Sequence, residues 1–179
     1  MDFTEKILSE KQIYKGKLLD VRKYEVVLPN GLKSGREVIK HIGASAVLAV
    51  DDENNIFMVR QYRFAAGDHL MEVPAGKFDR HGEDPLECAR RELEEETGKK
   101  AEFWSYLGYI LTTPGFTDEK IHLFLAKGLF DGKTNPDSDE FIQLVRTPLA
   151  EFEKMIREGN INDAKTIAVY TRAKLSGGI

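Results

Sequence analysis

Cysteine is nearly absent: Cys88 is the one cysteine among 179 residues. No intrachain disulfide can therefore hold the chain together, and a reducing compartment is expected. Long apolar runs are missing too. No stretch approaches the roughly 20 apolar residues that span a membrane. The first twelve residues, MDFTEKILSEKQ, are charged and lack the apolar centre of a signal peptide. These absences make the cytoplasm the default expectation. Neither sign of charge dominates: 26 Lys and Arg stand against 30 Asp and Glu, a net charge of −4, which gives no general reason to expect a nucleic-acid partner. Internal repeats, low-complexity tracts and flexible linkers are also lacking. What remains, 41% hydrophobic and 31% charged residues, suits a core-forming domain of ordinary size.

Residues 17–28, KLLDVRKYEVVL, are rich in β-branched and aromatic types and run into Pro29-Asn30-Gly31, a strong turn signal. Residues 36–42 read as the returning strand, so residues 1–42 are expected to form a β-meander separate from a main domain over 43–179. Residues 45–50, SAVLAV, read as a buried strand, and IFMVRQYRF follows a polar turn. A short strand over 69–73 leads into Pro74-Ala75-Gly76. The next segment is punctuated as a helix. Asp84 can cap it, Pro85 suits its first position, Glu87 stands where a capping box requires, and Gly98 supplies the left-handed stop. Leu86, Ala89 and Leu93 line its apolar stripe. Strands are predicted at 103–112, 120–127 and 140–146, then helices over 148–158 and 163–175. This order predicts an α+β chain or an α/β/α sandwich on a mixed sheet.

The helix carries Glu92, Glu95 and Glu96 on one side, with Glu94 turned elsewhere. Residues three and four apart on a helix have Cβ atoms about 5–6 Å from each other. Acidic runs on helices are ordinarily solvated faces. Here Arg91 lies beside the three carboxylates, and Glu83 is available to grip its guanidinium in a bidentate pair. The Ala75-Gly76-Lys77 loop can bring backbone carbonyls to the same patch. Such carboxylates repel one another unless a cation sits among them. Magnesium takes oxygen ligands while keeping waters and substrate phosphates in its shell.

Gly76, Glu83, Arg91, Glu92, Leu93, Glu95, Glu96 and Gly98 resemble the Nudix box: a glycine, five residues, a glutamate, seven residues, then Arg-Glu-apolar-x-Glu-Glu-x-Gly-apolar. Six residues rather than five separate Gly76 from Glu83, and Lys99 fills the last apolar place. The resemblance runs over nearly the whole chain. Within Nudix hydrolases it is nearest to ADP-ribose pyrophosphatases, through Leu28-Pro29-Asn30-Gly31, Arg36-Glu37-Val38, Arg60-Gln61-Tyr62-Arg63, Glu72-Val73-Pro74-Ala75-Gly76 and Thr113-Pro114-Gly115-Phe116. Pro114 stands sixteen residues after Gly98, about where that subfamily has a marker proline.

The resemblance implies a Nudix α/β/α sandwich with a mixed sheet, preceded by a small N-terminal antiparallel sheet. It implies hydrolysis of ADP-ribose to AMP and ribose 5-phosphate, with Mg2+, or alternatively Mn2+, as cofactor. Glu92 and Glu96 become the principal metal ligands, Glu95 a further ligand or water-positioner, and the Ala75 carbonyl another ligand. Arg91 belongs to the catalytic set. Glu140, in the acidic segment with Asp137 and Asp139, is the candidate for an extra carboxylate, as ligand or general base. Arg36 and Arg63 match substrate-reaching positions. Glu72 is placed to bond a base or ribose, or to pair with an arginine, and Phe116 and Glu119 to shape the ribose end. A homodimer whose N-terminal strands cover the partner's site is typical of the subfamily. Rival readings are a pyrophosphatase for a GDP-mannose-like nucleotide sugar or NADH, and a ligand-sensing module without turnover.

Overall fold

The computed structural model describes residues 2–135 and 141–179 and divides into two compact units. The first comprises residues 1–42 with 111–120, and the second 43–110 with 121–179.

In the first unit, β1 (Lys6–Lys15), β2 (Asp20–Val27) and β3 (Lys33–Lys40) form a three-stranded sheet, each neighbour antiparallel. The turn read at Pro29-Asn30-Gly31 joins β2 to β3. Gly31, at φ +84°, donates its N–H to Leu28 O at 2.9 Å. The sequence marks no strand within β1, and its burial explains why. All ten residues are exposed, so no buried face alternates with a solvent-facing one. Residues 111–120 add to this unit by mutual backbone bonding: Ile39 N–H donates to Phe116 O at 2.8 Å.

The second unit is built on a sheet ordered β10-β5-β4-β9-β8, with β6 beside β5 and β7 beside β4. These strands are β4 (Ala44–Val50), β5 (Asn55–Arg63), β6 (Asp68–Glu72), β7 (Ala75–Lys77), β8 (Lys99–Leu111), β9 (Lys120–Asp131) and β10 (Ile142–Pro148). β4 runs parallel to β9 and antiparallel to β5 and β7, so the sheet is mixed, as expected. Every residue of β4 is buried because helices cover both faces, which is what an unbroken apolar run requires. On one face α1 (Pro85–Thr97) packs Ala89 and Leu93 against Val47, Ala49 and Phe124. On the other, α2 (Leu149–Arg157) and α3 (Ala164–Leu175) set Phe152, Val169 and Ala173 against Ala46, Leu48, Met58 and Leu123. The α/β/α sandwich on a mixed sheet is the observed architecture.

The caps of α1 fall where the sequence puts them. Asp84 accepts from Leu86 N at 2.8 Å and Glu87 N at 3.2 Å. Gly98 ends the helix at φ +65°. The Glu87 carboxylate binds Arg90 at 2.8 Å instead of closing a capping box. β7 departs from the sequence reading: Pro74-Ala75-Gly76 reads as a turn, yet Ala75–Lys77 pairs with Ala44–Ala46.

Candidate active site

The docking of α1 decides where its acids go. With Ala89 and Leu93 pointing into the core, positions 92 and 96 flank the buried stripe. Glu92 is 9% and Glu96 6% exposed, unusual burial for carboxylates. Glu95 lies one step further out.

β7 delivers the opposing backbone. Its pairing places Gly76 across from Ser45, and a Cβ at position 76 would lie 2.1 Å from the Glu92 carboxyl carbon. Only glycine leaves room for that carboxylate. Ala75 N–H donates to Glu96 Oε2 at 3.2 Å, so Ala75 and Glu96 are brought together as the sequence implied. The longer spacing to Glu83 is absorbed beyond β7. Gly82 turns at φ +79°, Glu83 N–H bonds Arg80 O at 3.2 Å, and Asp79 N–H bonds Glu83 Oε2 at 2.6 Å. The extra residue therefore leaves the Gly76–Glu92 approach intact.

Arg91 sits among the acids. Its Nη1 donates to Glu92 Oε1 at 2.6 Å and Glu95 Oε2 at 3.3 Å, and its Nη2 to Lys77 O at 3.1 Å. Asp79 lies 3.4 Å and Glu83 3.6 Å from the guanidinium. The bidentate Glu83–Arg91 pair expected from sequence is thus a looser ion pair, because Arg91 is drawn to Glu92 and the Lys77 carbonyl. Burial works to lower the Arg91 pKa, but the charge of Glu92 and its neighbours outweighs that and raises it. Four carboxylates share this one guanidinium, whose buried Nε has no hydrogen-bond partner among the described residues.

Among the described residues, no group of three or more His, Cys, Asp or Glu side chains is arranged to hold a metal ion by itself. The donor set still fits a hard divalent ion. It consists of carboxylates and backbone carbonyls in excess over the cations present, and magnesium is usually bound through only one or two carboxylates plus waters and phosphates.

A second ion cluster lies at the end of β6. Arg63 Nε and Nη2 donate to the two oxygens of Glu72 at 2.7 and 2.8 Å. Lys165 Nζ, on α3, bonds the same carboxylate. In this structure the Glu72 carboxylate is taken up by Arg63 and Lys165. Burial works to raise the Glu72 pKa, but the bonds from Arg63 and the charge of Lys165 prevail and lower it. The tail Gly159-Asn160-Ile161-Asn162-Asp163-Ala164-Lys165-Thr166 resembles the last helix of Nudix hydrolases, but the pairing of Lys165 with Glu72, 93 residues away, has no local sequence signal.

The remaining expected residues belong to the first unit or lie outside the description. Arg36 is held by Glu5 at 2.5 Å and by Ser34 and Gly35. Glu119 accepts from Thr112 Oγ1 at 2.7 Å, and Phe116 is half exposed. Glu140, with Asp137 and Asp139, falls outside the described residues. Cys88 donates to Gly76 O at 3.5 Å. Cys88 is fully buried, and burial, reinforced by the Glu92 charge, pushes its pKa up to about 12, which favours the neutral thiol.

The NUDIX domain model matches residues 39–170. A methanol dehydrogenase activator from Bacillus methanolicus is 44% identical over 167 residues, covering 92% of this chain and 90% of its own. An ADP-ribose pyrophosphatase from Bacillus subtilis is 43% identical over 164 residues, covering 90% and 88%. Among solved structures, one titled as an ADP compounds hydrolase superposes with a TM-score of 0.86 over 99% of this chain and 98% of that one. At 22% identity that likeness concerns the fold.

Proposed function

This chain belongs to the NUDIX family, and from that premise we propose that the hydrolase cleaves the diphosphate of ADP-ribose, giving AMP and ribose 5-phosphate. The observation that carries the reading is the carboxylate excess where α1 meets the loop before it: Glu92 and Glu95 of the helix and Asp79 and Glu83 of the loop stand around the one guanidinium of Arg91. The name of the 43% identical relative supports the substrate.

The diphosphate is anionic and is repelled by these acids, so a cation has to stand between them. Glu92, Glu96 and the Ala75 carbonyl are the groups that would hold a divalent ion, Mg2+ or Mn2+, with Glu95 as a further ligand or a group that orients water. When bound, such an ion neutralises the phosphates and lowers the pKa of water. Gly76 keeps the Glu92 carboxylate in place, and Arg91 limits the repulsion between Glu92 and Glu95. Arg63 and Arg36 supply guanidinium forks suited to phosphate oxygens. Glu140 provides the extra carboxylate, as ligand or base; Phe116 and Glu119 shape the ribose end. One water is consumed and one P–O–P linkage is broken, each product leaving with a phosphate.

Residues 43–179 serve as the catalytic domain and residues 1–42 as the dimerisation element. Ile7, Leu8, Ile13 and Tyr14 stand exposed on β1, an apolar surface that supports a homodimer in which a second copy covers it.

The test is a hydrolysis panel of ADP-ribose, GDP-mannose and NADH with Mg2+ or Mn2+, products separated by chromatography. AMP and ribose 5-phosphate from ADP-ribose at the highest kcat/KM are expected. A faster reaction with another compound overturns the substrate, and no turnover overturns the enzyme reading. The 44% identical activator favours a second reading, in which hydrolysis or ligand binding regulates a dehydrogenase. Adding the chain to methanol dehydrogenase and following the rate separates the two.

A further inference from the structure

Glu72 is 1% exposed and carries two cations, Arg63 through both carboxylate oxygens and Lys165 through one. One counter-ion would suffice to keep the carboxylate charged. Removing the last partner of a buried charge is strongly destabilising, so an arginine that alone neutralised Glu72 could not leave it to bind a substrate. The two cations differ in freedom. The Arg63 side chain is 40% exposed and that of Lys165 13%. Lys165 is further tied to Asp163 at 3.1 Å, and Asp163 caps α3 by accepting from Thr166 N at 3.0 Å and Thr166 Oγ1 at 2.6 Å. Thr166 Oγ1 in turn accepts from Val73 N at 2.9 Å, next to the Pro74–Gly76 segment that meets Glu92 and Glu96. Lys165 is thus built into the scaffold, whereas Arg63 stands at its edge and within electrostatic reach of Glu96.

We propose that Lys165 is a positioning residue that keeps buried Glu72 neutralised and thereby frees Arg63 to swing from Glu72 onto the diphosphate of the substrate. The inference rests on the pyrophosphatase reading and adds to it a residue outside the acidic helix. On substrate binding, Arg63 exchanges a carboxylate for phosphate oxygens, both of which it can grip bidentately, while Lys165 remains on Glu72. Without Lys165, Arg63 is pinned, since leaving would strand a buried charge.

The experiment measures ADP-ribose kinetics and melting temperature for wild type, K165M, K165R, R63M, E72Q and the pairwise combinations. K165M is expected to raise KM roughly ten- to hundred-fold, the worth of a charged hydrogen-bonded contact, with little change in melting temperature because Arg63 still covers Glu72. K165R should recover most of the loss. Adding E72Q to K165M should restore KM toward wild type, because no charge is left to pin Arg63. R63M/K165M should melt far below either single variant. An unchanged KM in K165M overturns the proposal. So does a K165M/E72Q protein with KM still raised, which would make Lys165 a direct substrate contact. A K165M that melts low with normal KM marks a structural role only, and overturns it too. If wild type does not hydrolyse ADP-ribose, the functional reading falls by itself. The exchange is then judged by calorimetric affinity for ADP in the same variants, weakened in K165M and restored by E72Q, with equal affinities overturning it.

Discussion

The two ion clusters of the larger unit are built to opposite specifications. Around Arg91, four carboxylates share one guanidinium; around Glu72, the charges cancel, with Arg63 and Lys165 against Glu72 and Asp163. A cluster that satisfies itself stabilises the fold and fixes geometry. One left with surplus negative charge lowers stability unless something positive joins it, and the fold tolerates that surplus where α1 meets the loop before it. The imbalance, more than the mere presence of acids, points to the chemistry. The balanced cluster sits at the other end of the Val73–Lys77 segment, so the same short stretch of backbone is held by structure on one side and offered to a ligand on the other.

Removing surplus charge is the hardest blow to this contrast. E92Q and E96Q should each reduce kcat roughly a thousand-fold, equivalent to several kcal/mol of lost charge stabilisation in the transition state. Their melting temperatures without divalent ions should be no lower than wild type, because repulsion is relieved. A large stability loss with preserved turnover would mean that the acidic cluster is structural after all. Displacing a carboxylate without changing charge is a milder version. G76A puts a methyl group where the Glu92 carboxylate lies, and a misplacement of that kind is expected to cost up to roughly a hundred-fold in kcat while leaving the melting temperature close to wild type.

The balanced cluster should show itself through acid. The folded-state pKa of Glu72 lies below its ordinary 4.5, so its contribution to stability is complete above that value. It is lost as pH falls through the lower folded value. Melting curves recorded from pH 6 downward should therefore fall more steeply for wild type than for E72Q; parallel curves would break the assignment. The smallest effect is a control on the helix itself. D84A removes an N-cap that accepts two backbone N–H groups and should cost about 1 kcal/mol by denaturant unfolding, with kcat nearly unchanged.

Legibility in the sequence followed locality. α1 was readable because its signals, Asp84, Pro85, Gly98 and the Ala89–Leu93 stripe, all lie within one helix length, and the acids of the site ride on it. β4 was readable because burial on both faces leaves an unbroken apolar run. β1 was not, since a strand with every side chain in solvent carries no alternation to detect. β7 hid behind a Pro-Ala-Gly turn signal, its strand character supplied by pairing with Ala44–Ala46. Spacing brings Glu83 to Arg91 but cannot weigh the nearer claims of Glu92 and Lys77 O, so the pair is looser than bidentate. Lys165 lies in a tail that resembles the family's last helix, but its pairing with Glu72 arises only once the chain folds, across 93 residues.

The surplus charge on α1 can be tested most directly by following thermal unfolding of wild type, E92Q and E96Q through a Mg2+ titration. A ligand bound by the folded state alone stabilises it by RT ln(1 + L/Kd), where L is the free ligand concentration, and so raises the melting temperature as L passes Kd. Wild type should rise steadily with Mg2+, and each variant should rise much less. A flat wild-type curve, or an equal rise in all three proteins, would contradict the claim that these carboxylates are held in readiness for a divalent cation.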